Sequence, residues 1–503
     1  MLTQTSRLRR LREHTMDCLF ANLPDQERAG AERCAIRLRH ELPDQDHLDK
    51  NIVLVAYGGG KDSSYAIAFV RALQLIMFRD YGTTFRIRTV TSRHAGMPQA
   101  VLENIDRAYR ALGLYDDPGC EMLIVDGTKV STFDVGLPMP RAVMDRDRAD
   151  VLMTGHRTAG EARPTFCNSC NIRMVNAFAL AACYGEGVDL IATGDSREEQ
   201  RAYAFWVRRL SRQFGSGRTR QGNGSGRAGR GGEFKGFIGA MADLSEVYYR
   251  DIHGSLPPGC VMNSNAPEKL RFFSIYEDAT YSAQNHWDLL IRFLNFSFDE
   301  LAFSFTESDC GNPALMAHIR GLKCERRYGR EYAEGVQEYA SFAVELMRQK
   351  EFPQVLIDEM ISRYDEPEAV SRRRALANRF AWEGYRLTQG QLICMVYSPF
   401  TGGLAGLDDF LAREASYLWK RREDIRALVA NPGVTDPDLA RDLEWISGLT
   451  VPQIRVLAER PKLHDAGGRQ LLSAVLDGDP HKAVIKTRHS PAGPLVAELI
   501  SGR

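Results

Sequence analysis

Between Asn51 and about Cys260 the apolar positions change rhythm repeatedly, and each change predicts an element. "NIVLVAY" is a short unbroken apolar run with the length of a strand buried on both faces, and "SSYAIAFVRALQLIMF" behind it has the length of a helix. "FRIRTVTS" predicts a second strand, "PQAVLENIDRAYRALG" a helix and "CEMLIVDG" a third strand. "NIRMVNAFALAACYGEG" predicts a helix stopped by glycine, and "VDLIATGDS" a fourth strand. This alternation predicts an α/β fold built on a doubly wound parallel sheet. Such sheets bind ligands where strands end, near a switch in strand order.

The flanks read differently. Basic "SRLRRLREH" continues through Met16, Leu19 and Phe20 as an amphipathic helix, so residues 1–45 are expected to be an N-terminal helical segment rather than a transit peptide. After Leu270 the chain turns mainly helical, and from about Gly321 only helices are expected; their Trp, Tyr, Phe and Met stripes read as packing faces. The expected organisation is therefore 1–45, a sheet domain at 46–325 and a helical domain at 326–503. No internal repeat is evident. Between Arg208 and Lys235 the chain is glycine-rich and basic, with no carboxylate before Glu233. This insertion near 212–236 reads as a mobile linker or a phosphate-steering lid. "GSGRAG" within it matches a dinucleotide-binding pattern but neither follows a strand nor opens a helix, so the match carries no weight.

Composition narrows the function classes. With 65 basic and 65 acidic residues the formal charge is zero, so any anion site must be local. Length, at 503 residues, suggests about two to four domains. No apolar stretch has signal-peptide or membrane-spanning length, which makes the cytoplasm the expected compartment and excludes a membrane partner. The ten cysteines are then expected to be reduced, and only Cys167 and Cys170 in "RPTFCNSCNIRM" have a spacing suited to one metal or cluster.

The candidate chemistry sits where the first strand breaks into "GGGKDSS". Glycines at 58, 59 and 60 let the main chain turn tightly and aim successive N–H groups inward. The helix starting near Asp62 adds its unpaired N–H groups and positive dipole end, and Ser63 and Ser64 add hydroxyls, so the loop is suited to wrapping a phosphate. A plain turn capped by Asp62 is the alternative. A Walker-type loop is excluded, because Lys61 is followed by Asp62 rather than Ser or Thr.

"GGGKDSS" after a strand resembles the SGGxDS signature of the PP-loop ATP pyrophosphatases, whose sheet is of the adenine nucleotide alpha hydrolase type. The resemblance covers roughly residues 50 to 320. It implies ATP and Mg2+, transfer of AMP to a carbonyl-type oxygen with release of pyrophosphate, and displacement of AMP by a nucleophile. The implied ATP-binding residues are Gly58, Gly59, Gly60, Lys61, Asp62, Ser63, Ser64, His94 and Gly194, with Asp62 and Asp195 catalytic. Gly58 stands where the family has serine, so one hydroxyl donor is replaced by main chain. Arg93 and His94 close the second strand where that family cradles adenine and ribose and are candidates for this role, with a surface turn as the alternative. "GDSREEQ" only partly matches the family's acidic segment, with Asp195 in place of histidine and Glu198 and Glu199 in place of the acidic pair.

Within that family, Cys167 and Cys170 just before the helix leading into the fourth strand resemble the tRNA 2-thiocytidine and thiouridine synthetases, which add a downstream cysteine to hold an iron–sulfur cluster. Cys310 stands in a comparable place. The resemblance implies a 4Fe–4S cluster on Cys167, Cys170 and Cys310, with Zn2+ or unligated thiols as alternatives, and it counts the first two as catalytic. The expected function is thiolation of tRNA or of a small-molecule acceptor, with a sulfur-donor protein and a homodimer among the partners to be tested. Amidation by ammonia or an amine is the second reading, since sugar amidotransferases carry a similar "GGKDSS"; a non-catalytic nucleotide-binding module is the third.

Overall fold

The computed structural model describes all residues except 1–3, 161, 195–196, 216–232, 264, 266, 268–269, 279–286, 298–299, 302–309, 350–351, 469, 479–481 and 502–503. Its centre is a six-stranded sheet of β1 (Ile52–Ala56), β2 (Arg86–Arg93), β3 (Cys120–Asp126), β4 (Lys129–Thr132), β5 (Leu190–Thr193) and β6 (Arg271–Ser274). The spatial order is β4-β3-β2-β1-β5-β6, and every pairing is parallel except that of the edge strand β4 with β3. The chain therefore builds outward from β1 in one direction and then returns to its other side, which puts the switch in strand order between β1 and β5.

Helices cover both faces. α1 (Gln4–Ala21), α2 (Asp25–Glu41), α3 (Lys61–Tyr81) and α4 (Gln99–Ala111) pack on the face that receives Val53, Val55 and Ile87. α5 (Arg141–Thr158), α6 (Ala162–Ala182) and α8 (Glu233–His253) lie on the face that receives Ile52, Leu54 and Val90, with α7 (Arg197–Phe214) packed against α8. Alternate residues of one strand thus feed opposite cores, which is why "IVLVA" is apolar without a break. α3 ends at Gly82, whose φ of 71° closes the helix in the left-handed region.

The C-terminal half continues with α9 (Asn312–Leu322), α10 (Tyr332–Gln349), α11 (Gln354–Asp365), α12 (Pro367–Tyr385) and shorter helices. Its buried side chains, among them Tyr339, Leu392 and Met395, join the core that holds Val151, Phe166 and Val175, so this half packs directly on the sheet's second layer.

Two expectations need correction. Residues after Gly321 are not all helical, because β7 (Lys482–Arg488) and β8 (Leu495–Ser501) form an antiparallel hairpin. A two-stranded hairpin is marginal alone. This one is held by Glu498, which pairs with Arg320 at 3.0 Å and with Lys323, while Thr487 donates to Glu338 at 2.7 Å. Burial alone would raise the Glu498 carboxyl, but Lys323 and Arg320 outweigh it and hold the group well below the ordinary carboxylate range. A depressed folded-state value means that this stabilisation is complete above the unfolded glutamate pKa of about 4.3 and is lost as pH falls below it. Protection of the amides across 482–501, corrected for the intrinsic exchange rate at each pH, should fall on acidification from pH 6 to pH 3, and Glu498→Gln should reduce that dependence.

The second correction concerns the cysteine pair. Cys167 and Cys170 lie inside the first turns of α6 rather than ahead of it, with Pro164 in the opening turn where it removes no intrahelical bond.

Candidate functional site

The glycine break follows β1 directly, at the C-terminal edge of the sheet beside the switch in strand order. Gly59 has φ +79°, and a Cβ there would lie 2.7 Å from Val101 Cγ1 and 2.9 Å from Ile105 Cγ1 on α4. Both conformation and close approach therefore require glycine. At Gly58 a Cβ would meet none of the described residues within 4 Å, so this side of the loop is open among them. Gly60 is the N-cap of α3 and, being glycine, offers no side chain to accept from the first-turn N–H groups. The uncapped N–H groups at that end are what an anion would use.

The side chains of the loop divide into two roles. Ser63 Oγ donates to the Gly60 carbonyl at 3.1 Å and stays half-buried. Ser64 is fully buried, and its hydroxyl sits 3.1 Å from the Tyr57 hydroxyl, which ties the turn to the strand and points it away from the open side. Lys61 is 8% exposed, and its Nζ donates to Asp62 Oδ1 at 2.5 Å, while the Asp62 carboxylate is about half exposed.

The ends of neighbouring strands bring further candidates to the same edge. His94 follows β2 and is nearly buried; its Nδ1 accepts from the Gly96 N–H at 3.1 Å, which leaves Nε2 as the protonated nitrogen of the neutral ring. Arg93 is not available to a nucleotide. It makes a buried two-pronged pair with Asp126, Nε to Oδ1 at 2.7 Å and Nη2 to Oδ2 at 2.5 Å, and its guanidinium also donates to the carbonyls of Leu137 and Pro138. Gly194 follows β5, where a Cβ would stand 3.2 Å from the Tyr276 hydroxyl; Tyr276, after β6, stacks on Tyr65 of α3 at 6.1 Å. Asp195 lies outside the described residues, as does the basic loop at 216–232; Glu198 and Glu199 are on α7, and their side chains are not described.

α6 leads through a short loop into the start of β5, so its first turns lie at the sheet edge that carries the glycine loop. Cys167 and Cys170 are three residues apart on it. Cys310, half-buried, precedes α9 in a segment joined to the end of β2 by the Gly311 N–H, which donates to the Gly96 carbonyl at 2.8 Å. Tyr385 links the two: its ring lies 6.0 Å from Phe166, beside Cys167 in sequence, and its hydroxyl donates to Asn312 Oδ1 at 2.7 Å. Gly96 is packed so closely here that a Cβ would lie 2.5 Å from Asn312 Oδ1 and 2.6 Å from the Tyr385 hydroxyl. Among the described residues no three His, Cys, Asp or Glu side chains group as metal ligands, and the side chain of Cys167 is not among them.

Sequence reasoning missed the ionic network that fastens this region. Arg173 of α6, one turn beyond Cys170, is buried and pairs with Asp147 and, at 2.6 Å, with Asp150, both on α5. Asp150 Oδ1 also meets His253 Nε2 at 2.7 Å, and Asp147 Oδ2 accepts the Ala95 N–H at 2.7 Å. Burial works against the Arg173 charge, but the two carboxylates together hold it firmly protonated. The network fixes the main chain next to His94 and the helix that carries the cysteines. No local pattern announces it, because acid and base stand on different helices.

A cleft of about 510 Å³ lies elsewhere, lined by Asp106, Tyr109, Arg110, Tyr115 and Phe133 among others. One of its carboxylates, Asp106, is already held by Arg110 at 2.8 Å and by the Tyr115 hydroxyl at 2.9 Å.

Comparison of the chain with protein-family models, with curated proteins and with solved structures finds no match.

Proposed function

We propose that the chain is an AMP-forming enzyme of the PP-loop ATP pyrophosphatase type, with an adenine nucleotide alpha hydrolase-like sheet. The observation that carries this reading is the uncapped start of α3 behind a glycine turn, placed beside the switch in strand order with its open side at Gly58. ATP would lay its pyrophosphate on the N–H groups of Gly58 to Ser63, with Lys61 as counter-charge. Mg2+ would supply neutralisation of the phosphate oxygens, and Asp62 is the described carboxylate suited to hold it. An acceptor carbonyl oxygen attacks the alpha-phosphorus, its bond to phosphorus forms as the bond to pyrophosphate breaks, and the adenylated oxygen then leaves with AMP when the nucleophile adds. Adenylation makes that oxygen a competent leaving group. The test is product analysis. Purified protein with ATP, Mg2+ and candidate acceptors should release AMP and pyrophosphate in equal amounts; ADP and phosphate would sink the assignment.

Sulfur is the nucleophile we favour. The spacing of Cys167 and Cys170 on one helix supports iron–sulfur or zinc ligation with Cys310, which precedes the Asn312 that Tyr385 joins to the neighbourhood of Phe166. A bound cluster would supply sulfur delivery. Protein prepared without oxygen should be brown, and Ser at any of these positions should remove most of the iron, whereas Cys34→Ser or Cys394→Ser, in apolar cores, should leave it unchanged. A colourless preparation carrying about one zinc would move the reading to an ammonia or amine nucleophile.

A further inference from the structure

The C-terminal half meets the phosphate loop at Phe352. Phe352, between α10 and α11, is 6% exposed, and the Lys61 ammonium lies 5.3 Å from the centre of its ring. Trp287 packs edge-on against Phe352, the two rings 6.3 Å apart. Lys61 is thus withdrawn from water with two compensating neighbours, the Asp62 carboxylate at 2.5 Å and the π face of Phe352. A buried ammonium needs such partners, since desolvation without them is costly.

We infer that Phe352 is a positioning residue for the nucleotide: it holds the Lys61 ammonium over the phosphate loop, so that the C-terminal half completes a site for a polyphosphate chain. This rests on the ATP reading above. When the beta- and gamma-phosphates of ATP arrive, they replace Asp62 as the anionic partner of Lys61, while the ring keeps the lysine in place. Asp62 is then released towards Mg2+. The ring contributes only if it attracts charge, which an aliphatic side chain of similar size does not.

The test uses the full chain and ATP. Phe352→Leu should raise the KM for ATP about five- to thirtyfold with kcat little changed, and Phe352→Tyr should restore it, because the tyrosine ring keeps the attraction. In a Lys61→Met background, Phe352→Leu should have no further effect on ATP binding, since the cation it holds is gone. An equal loss in both backgrounds, or a Tyr variant as impaired as the Leu variant, would show mere packing and overturn the inference. Wild-type protein that forms no AMP and pyrophosphate would instead remove the ATP reading, and this inference with it.

Discussion

Asp62→Ala should lower AMP formation from ATP by about 10²- to 10³-fold, comparable to removing one group that stabilises the charge developing in a transition state, because the Mg2+ that Asp62 would hold neutralises the phosphate oxygens. The melting temperature should fall modestly, because the buried Lys61 ammonium loses one of its two compensating neighbours while Asp62 itself is about half exposed. Ser63→Ala should cost less, about tenfold, because Ser63 supports the turn through its bond to the Gly60 carbonyl and the main-chain donors remain. Separating AMP, ADP, pyrophosphate and phosphate by chromatography checks both. Unchanged turnover in Asp62→Ala would mean that the carboxylate serves only the loop's own structure.

Arg173→Met should destabilise the protein by about 3–5 kcal/mol in urea denaturation, because removing the guanidinium takes from two buried carboxylates their shared cation, leaving Asp150 with His253 and Asp147 with the Ala95 N–H. Asp147 and Asp150 are 3% and 1% exposed, so water cannot take the place of the lost partner without rearrangement. Adding Asp147→Asn and Asp150→Asn to Arg173→Met should recover part of the loss, since the uncompensated charge is then removed. The single change should also disturb the main chain at Ala95, where Asp147 holds the N–H, and so weaken nucleotide binding at a distance from the phosphates. A loss below about 1 kcal/mol, the size of an exposed pair, would show that this network is solvated in solution.

The pattern of apolar positions by itself determined the central sheet strands it could reach and the helices between them, because periods of two and of 3.6 residues are local signals. β1, β2, β3 and β5, with α3 and α4, fall where that pattern puts them. The glycine turn was legible for the same reason: Gly59 must be glycine for its own φ, and the strand before it and the helix after it are contiguous in sequence. Local signals failed where neighbours decide. β6 is only four residues long and gains its identity by pairing with β5, and the β7–β8 hairpin rests on ion pairs from Glu498 to residues of α9 and the turn after it. The fate of individual side chains was settled only by packing. Arg93 looked like a ligand for a nucleotide until Asp126 of the next strand was seen to occupy it, and Ser64 until Tyr57 did. Phe352 and Lys61, or Arg173 and its two carboxylates, are joined by close approach across the fold rather than by spacing along the chain. Attraction between such groups depends on distance and dielectric, which only the folded arrangement fixes.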